Sequence, residues 1–296
     1  MIVVLLPGRS LFFSCAAASL IATAAGPGKR VGSLMPQYAI VSPERHGRKK
    51  WLRFQSYAFA AAAAVAPVVA AELARAALSM PVAFTEHAGR HTLVAVLSLA
   101  PVRNLFVAPD GRWLGSHVTS RFRGYPFRLF APQGTDGPVL CVDEESGLVV
   151  DGGSNGEEFF DPEGNLSPAL KQILEFWGAV ERSRATTDLA VQALTQASVI
   201  RPWDIKVKTE EGERAIAGLH RIDESAIRAL SDDAFLKLRR ASAVPVAYAQ
   251  LLSGGQLGVF EQLARLQKQL APAPPRAMPE SLDSLFLPGD DTIRFD

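Results

Sequence analysis

Cysteine is almost missing from this chain: Cys15 and Cys141 are the two in 296 residues. That count leaves no basis for a disulfide framework or a thiolate metal site. Cys141, within "PVLCVDE", reads as a buried strand residue. An excess of charge is missing too. Lys and Arg number 31 against 30 Asp and Glu, a formal net charge of +1. No global field draws nucleic acid or an anionic membrane, so electrostatic recognition has to be local. Nucleic acid is therefore not an expected partner. The common chemical signatures are lacking as well. "GGSNGEEF" and "LLSGGQLG" are glycine-rich without the GxxxxGK[ST] of a phosphate loop, and neither HExxH nor GxSxG occurs. No pattern asks for a cofactor.

Histidines stand at 46, 87, 91, 117 and 220. His87 and His91 have the spacing of a helical metal pair but fall across an expected β-turn, and no carboxylate or cysteine cluster supports them, so no metal site is assigned. The paired carboxylates Asp223-Glu224 and Asp232-Asp233 sit where helix N-termini favour negative charge. Asp143, ending an apolar strand, is the most site-like acid. His46 and His117 have the chemistry of a general acid or base, which a loop histidine alone does not establish.

What is present is an ordinary globular composition, 48% hydrophobic and 21% charged. "LFFSCAAASLIATAA" has the length of a signal-peptide apolar core, with "ATAAG" as a small-residue cleavage site. Yet its leader carries only Arg9, and the run is short for a membrane span. Three readings of residues 1–34 stay open: a start placed upstream of a natural Met35, an export signal, or a retained anchor. Location follows that choice, cytoplasmic for a start at Met35 and cell envelope or surface for export.

From Met35 the expected class is α+β. Residues 35–270 form the expected domain, with short antiparallel strands in the middle and helices towards the C-terminus. "PERHGRKKWLRF" reads as a solvated entry strand or arm. Pro67 suits the first turn of a helix running from about Val68 to Ser79. "PVAFTE" and "HTLVAVLSL" form a strand pair turning at "HAGR", and "VLCVDEESGLVVDG" repeats strand, turn and strand. Ser167 caps a helix with Pro168 in its first turn, and Leu170, Ile173, Leu174, Trp177 and Val180 recur at helical spacing; it is one long helix or two broken near Thr186. A hairpin turning near Gly212 follows, then two short helices capped by Asp223 and Ser231. A last helix is bent or interrupted at Gly254-Gly255. Residues 271–296 form a proline-rich acidic tail, "SLFL" and "TIRFD" giving it apolar anchors for its own body or for a protein partner.

The densest stretch is "NLFVAPDGRWLGSHVTSRFRGYPFRLF", which mixes Arg112, Arg121, Arg123 and Arg128 with six aromatic residues. If it contains a strand, Arg121 and Arg123 share one face and Phe122 takes the other, with Tyr125-Pro126-Phe127 packing as a corner. Core aromatics beneath external arginines is the plainer reading. An arginine pocket for a carboxylate or phosphate is the functional one, because guanidinium forks suit those anions. It would draw on Arg121, Arg123 and Tyr125, with Asp143 and His46.

Taken in order, "PERHGRKKWLRF", "PVVAAELARAALSMPVAF", "NLFVAPDGRWLGSHV", "RFRGYPFRLF", "GEEFFDPEGNLSPALKQILEF", "GLHRIDESAIRAL" and "PVAYAQLLSGGQL" resemble the bacterial SapC-like family from about His46 to Leu270. Gly124 stands where the family usually has arginine before Tyr-Pro-Phe, and His117 stands near a position often held by tyrosine. The family name implies surface-layer association, and some members carry a peptide-permease label. The permease label does not suit this chain, since no run after Met35 is long and apolar enough to repeat as membrane spans. No catalytic residue carries over. Two functions follow: a non-enzymatic protein associated with the surface layer or envelope, or a cytoplasmic protein binding or modifying a small anionic or peptide ligand through the Arg121–Tyr125 region.

Overall fold

The computed structural model describes residues 37–131, 137–153, 155–209 and 212–271. The expectations for residues 1–34 and for the tail from 272 onward lie outside that range. The fold is α+β: short antiparallel strands, with helices concentrated towards the C-terminus. Among the described residues no helix is long and apolar enough to cross a membrane.

The largest sheet has five strands, in the order β10 (Ile200–Pro202), β13 (Leu219–Ile222), β4 (Val82–His87), β5 (Arg90–Val96) and β3 (Val65–Pro67), all paired antiparallel. β4 and β5 form the expected hairpin. Its two turn residues, Ala88 and Gly89, both take positive φ, 49° and 74°, the backbone of a twist-matched two-residue turn. Helices α2 (Ala70–Ser79), α4 (Pro168–Gln196), α7 (Ala243–Ser253) and α8 (Val259–Leu270) contribute Leu73, Ala190, Leu194, Val246 and Phe260 to the core built on Phe84, Leu93 and Val96.

Two small sheets carry a second core. One is β1 (Tyr38–Ile40), β7 (Val139–Asp143) and β6 (Phe127–Phe130); the other is β8 (Val149–Asp151), β2 (Lys49–Trp51) and β9 (Glu157–Glu158). Trp51, Phe127, Val142 and Phe159 pack there against Leu170 and Trp177 of α4. Cys141 is buried in β7, where burial pushes its thiol up to about 12. At 29 residues α4 runs about 43 Å and serves both cores. Its start is as the sequence indicates: Ser167 accepts from the Leu170 N–H, and Pro168 occupies the first turn. It continues unbroken through Thr186, whose hydroxyl donates back to the Arg182 carbonyl.

The late hairpin is β11 (Ile205–Thr209) with β12 (Gly212–Ile216). Asp223 and Ser231 cap α5 (Glu224–Arg228) and α6 (Asp232–Arg240) by accepting from Ala226 and Ala234 N–H groups. The last helix is interrupted as expected, a 3-10 turn over Gly254–Gly258 separating α7 from α8.

Four expectations need correction. The helix before Pro81 begins at Ala70, because Pro67 pairs with Val94 as the end of an edge strand and the Val68 N–H still donates to the Leu93 carbonyl. "PERHGRKKWLRF" is no free arm: it forms the one-turn helix α1 (Pro43–His46) and then β2, which buries Trp51 between two partners. The strands of "VLCVDEESGLVVDG" do not pair with each other, since Gly147 turns the chain in the left-handed region and sends β8 to a different sheet. Finally, Ser120–Arg123 is the one-turn helix α3, not a strand, and is followed by a cis Tyr125–Pro126 bond that leads into β6. The helical turn wins because a buried carboxylate caps it.

Candidate ligand-binding face

That carboxylate is Glu72, in the first turn of α2 and 5% exposed. Its Oε1 accepts from the Ser120 hydroxyl at 2.7 Å and the Val69 N–H at 3.4 Å, and its Oε2 accepts from the Ser120 N–H at 2.7 Å and Arg123 at 3.4 Å. One acid therefore satisfies the first turns of two helices at once. His117 Nε2 comes within 3.4 Å of the same carboxylate without reaching hydrogen-bond geometry, and burial holds its imidazole below the ordinary value. Ser120 is buried and gives its proton to Glu72, so this cluster holds structure and presents no free nucleophile.

On the outer side of α3 lies an aromatic group. The Phe59 and Tyr125 rings stack at 3.8 Å and 10°, and Phe54 meets Tyr57 at 5.2 Å and Phe59 at 5.3 Å. Phe59 is 36% exposed; Phe54, Tyr57 and Tyr125 are half-buried. The turn that presents Phe59 is held from below by Asn104. Its side-chain amide donates to the Ala60 carbonyl, and its own N–H donates to the Ala61 carbonyl. Gly111, at φ 84°, lets the Pro109-Asp110-Gly111 turn close in, where its carbonyl accepts from the Tyr57 N–H.

Tyr125 also borders a polar group on β1, β6 and β7. Burial, then the Asp143 carboxylate and Tyr38, push its phenol up to about 12, and Ser146 offers it a hydrogen bond. Asp143 stands opposite Tyr38 across the strands and accepts from the Gln37 and Glu145 N–H groups. Burial raises its carboxyl, against the pull of those two donors. Arg128 donates to the Tyr38 hydroxyl at 2.6 Å and lies over the Tyr38 and Trp177 rings.

The five residues singled out in the sequence thus divide. Tyr125 and Asp143 are brought together. Arg121 is exposed on α3, and Arg123 is half-exposed, pinned between Glu72 and the Phe176 ring. His46 belongs elsewhere. It is fully buried beside Phe159, accepts from the Ser42 N–H, and lies 3.3 Å from Glu144, a carboxylate shared with Arg45 and Lys49. Burial lowers its imidazole, while Arg45 foremost lowers Glu144.

Two features have no counterpart in the sequence reading. Glu72 was legible only as an acid in a first turn; its partner Ser120 is 48 residues away. His91 faces Glu86 and His220, not the exposed His87. The symmetry of a two-residue turn at Ala88-Gly89 would have paired Glu86 with His91, but nothing local announces His220.

The SapC family model matches residues 41–259, most of the chain. Neither a curated protein nor a solved structure matches it. The chain belongs to the SapC family.

Proposed function

We propose that this SapC-family protein acts by non-covalent binding, and that the face around Phe59 and Tyr125 takes a peptide-like ligand bearing a carboxylate. The observation that carries the reading is the Phe59–Tyr125 stack, partly open to solvent, whose Tyr125 follows two residues after the Arg121–Arg123 end of α3. An aromatic platform accepts an apolar or aromatic group, and a guanidinium alongside selects an anion. The nearby groups with chemical potential are engaged internally: Ser120 with Glu72, Asp143 with two backbone donors, and Arg128 with Tyr38. That supports binding over catalysis. Arg121 is the cation best able to meet a ligand, since Arg123 is already held by Glu72 and Phe176.

The test is titration with N-acetyl-phenylalanine and its neutral amide, followed by saturation-transfer NMR and by thermal melting. The carboxylate form should bind saturably and the amide weakly. Arg121→Ala should weaken binding about tenfold with the melting temperature unchanged, the loss of one charge-assisted hydrogen bond. If Arg121→Ala and Tyr125→Ala merely lower stability, and neither compound protects the wild type, the binding face is to be dropped.

The working location in this proposal is the surface layer or envelope, as the family name implies. Mass and N-terminal sequence of the native protein from envelope and cytoplasmic fractions decide it. A terminus near Gly26 in the envelope supports export. A chain starting at Met35 in the cytoplasm keeps the binding face and removes the surface role.

A further inference from the structure

The hairpin of β4 and β5 places Glu86 directly opposite His91, and β13 sets His220 opposite Phe84, two residues before Glu86. Alternation along the strands puts Glu86, His91 and His220 on one face of the sheet, the face that carries Phe84 and Leu93. Glu86 Oε2 lies 3.5 Å from His220 Nε2 and 3.9 Å from His91 Nε2, and the ligand atoms of all three residues fall within 4.8 Å of one another. The two imidazoles meet edge to face with centroids 5.2 Å apart.

We propose that Glu86, His91 and His220 form a binding site for one divalent transition-metal ion of the zinc class. This goes beyond the binding face, which involves none of these residues. Two imidazoles and a carboxylate are a donor set that zinc accepts, with room for a fourth donor. Metal–ligand bonds of 2.0–2.2 Å in tetrahedral geometry put ligand atoms about 3.3 Å apart, so separations that now reach up to 4.8 Å have to close by no more than about 1.5 Å. The surroundings fit the role. His91 Nδ1 lies 3.1 Å from the Thr195 hydroxyl on α4, a contact that fixes the ring with Nε2 turned to the cluster. His91 and His220 side chains are 12% and 16% exposed, while Glu86 is 45% exposed and leaves a path for the ion.

Two imidazoles are crowded against one carboxylate, with all three ligand atoms inside 4.8 Å. Coordination gives that proximity a purpose. His220 also lines a groove of ≈ 500 Å³ beside the β11–β12 hairpin, bounded by Trp203, Ile205 and Ile216.

The experiment uses the full chain, free of affinity tags and stripped with chelator, titrated with Co²⁺ and then with competing Zn²⁺. Expected is one equivalent of Co²⁺ producing visible ligand-field bands, displaced by Zn²⁺, with a melting temperature that rises with metal concentration. Glu86→Gln should weaken the Co²⁺ affinity at least tenfold. The double variant His91→Gln/His220→Gln should abolish the bands, while His87→Gln, on the same hairpin but outside the cluster, should keep them. Circular dichroism checks that each variant is folded, and Glu86→Gln, altered at an exposed side chain, decides the matter if the double variant is not. A wild type without saturable Co²⁺ bands, or bands that survive in Glu86→Gln and the folded double variant alike, would overturn the site.

Discussion

Gly124 lies flat against the indole of Trp177: a Cβ built on it would come within 2.4 Å of the ring. The backbone there is ordinary, at φ −88°, so glycine is required for space and not for conformation. The contact joins the turn after α3 to the long helix α4. Gly124→Ala should therefore cost about 1–3 kcal/mol, because Trp177 sits in a packed core that does not yield easily. Urea denaturation measures it, and a loss below 0.5 kcal/mol would mean that the indole moves freely.

Glu72 should be the most sensitive acid in the chain. Glu72→Ala strips an acceptor from the Val69 and Ser120 N–H groups and the Ser120 hydroxyl, and leaves Arg123 without its carboxylate. The expected loss is about 3–5 kcal/mol. Glu72→Gln, which retains one acceptor oxygen, should lose less. Equal losses for the two variants in a denaturation series would show that the charge contributes and the acceptor geometry does not.

The pH dependence has a definite sign. Burial lowers His46, His91 and His117 below 6.5 in the folded chain, so the unfolded chain takes up protons first as the pH falls. Their contribution is intact above about pH 6.5 and is lost below it, with a slope of at most about 1.4 kcal/mol per pH unit for each proton. Glu144, lowered chiefly by Arg45, adds a further loss below its unfolded value of 4.5. Asp143, raised by burial, acts the other way, stabilising the fold as the pH drops towards 3.8. Metal-free protein should melt lower at pH 5 than at pH 8, and His117→Gln should flatten that difference. A melting temperature constant over this range would contradict the burial of these imidazoles.

Ala88 offers the opposite kind of change. It holds φ 49° in the turn between β4 and β5, a conformation that costs an L-residue about 1–2 kcal/mol and that asparagine tolerates better. Ala88→Asn, producing Asn-Gly at the turn, should raise stability by about 0.5–1 kcal/mol. Calorimetry would detect it as a higher melting temperature, and no rise would place the strain elsewhere.

What the sequence determined is what neighbouring residues decide among themselves. Ser167, Asp223 and Ser231 satisfy N–H groups three residues away, and the positive-φ turn at Ala88-Gly89 closes a hairpin whose strands follow directly. Those elements, and the α+β class they add up to, were readable without coordinates. Only the tertiary structure decided which separate segments meet. Strand propensity could not show that β7 and β8 join different sheets, or that β13 lies beside β4 across more than 130 residues of chain. Nor could it show that Ser120 would find Glu72, turning a strand-like "SRFR" into a helical turn. Such pairings depend on burial and register summed over the whole core, where an unpaired buried donor costs more than any local preference supplies. Both candidate sites stand on contacts of that kind: Phe59 on Tyr125, and His220 beside Glu86.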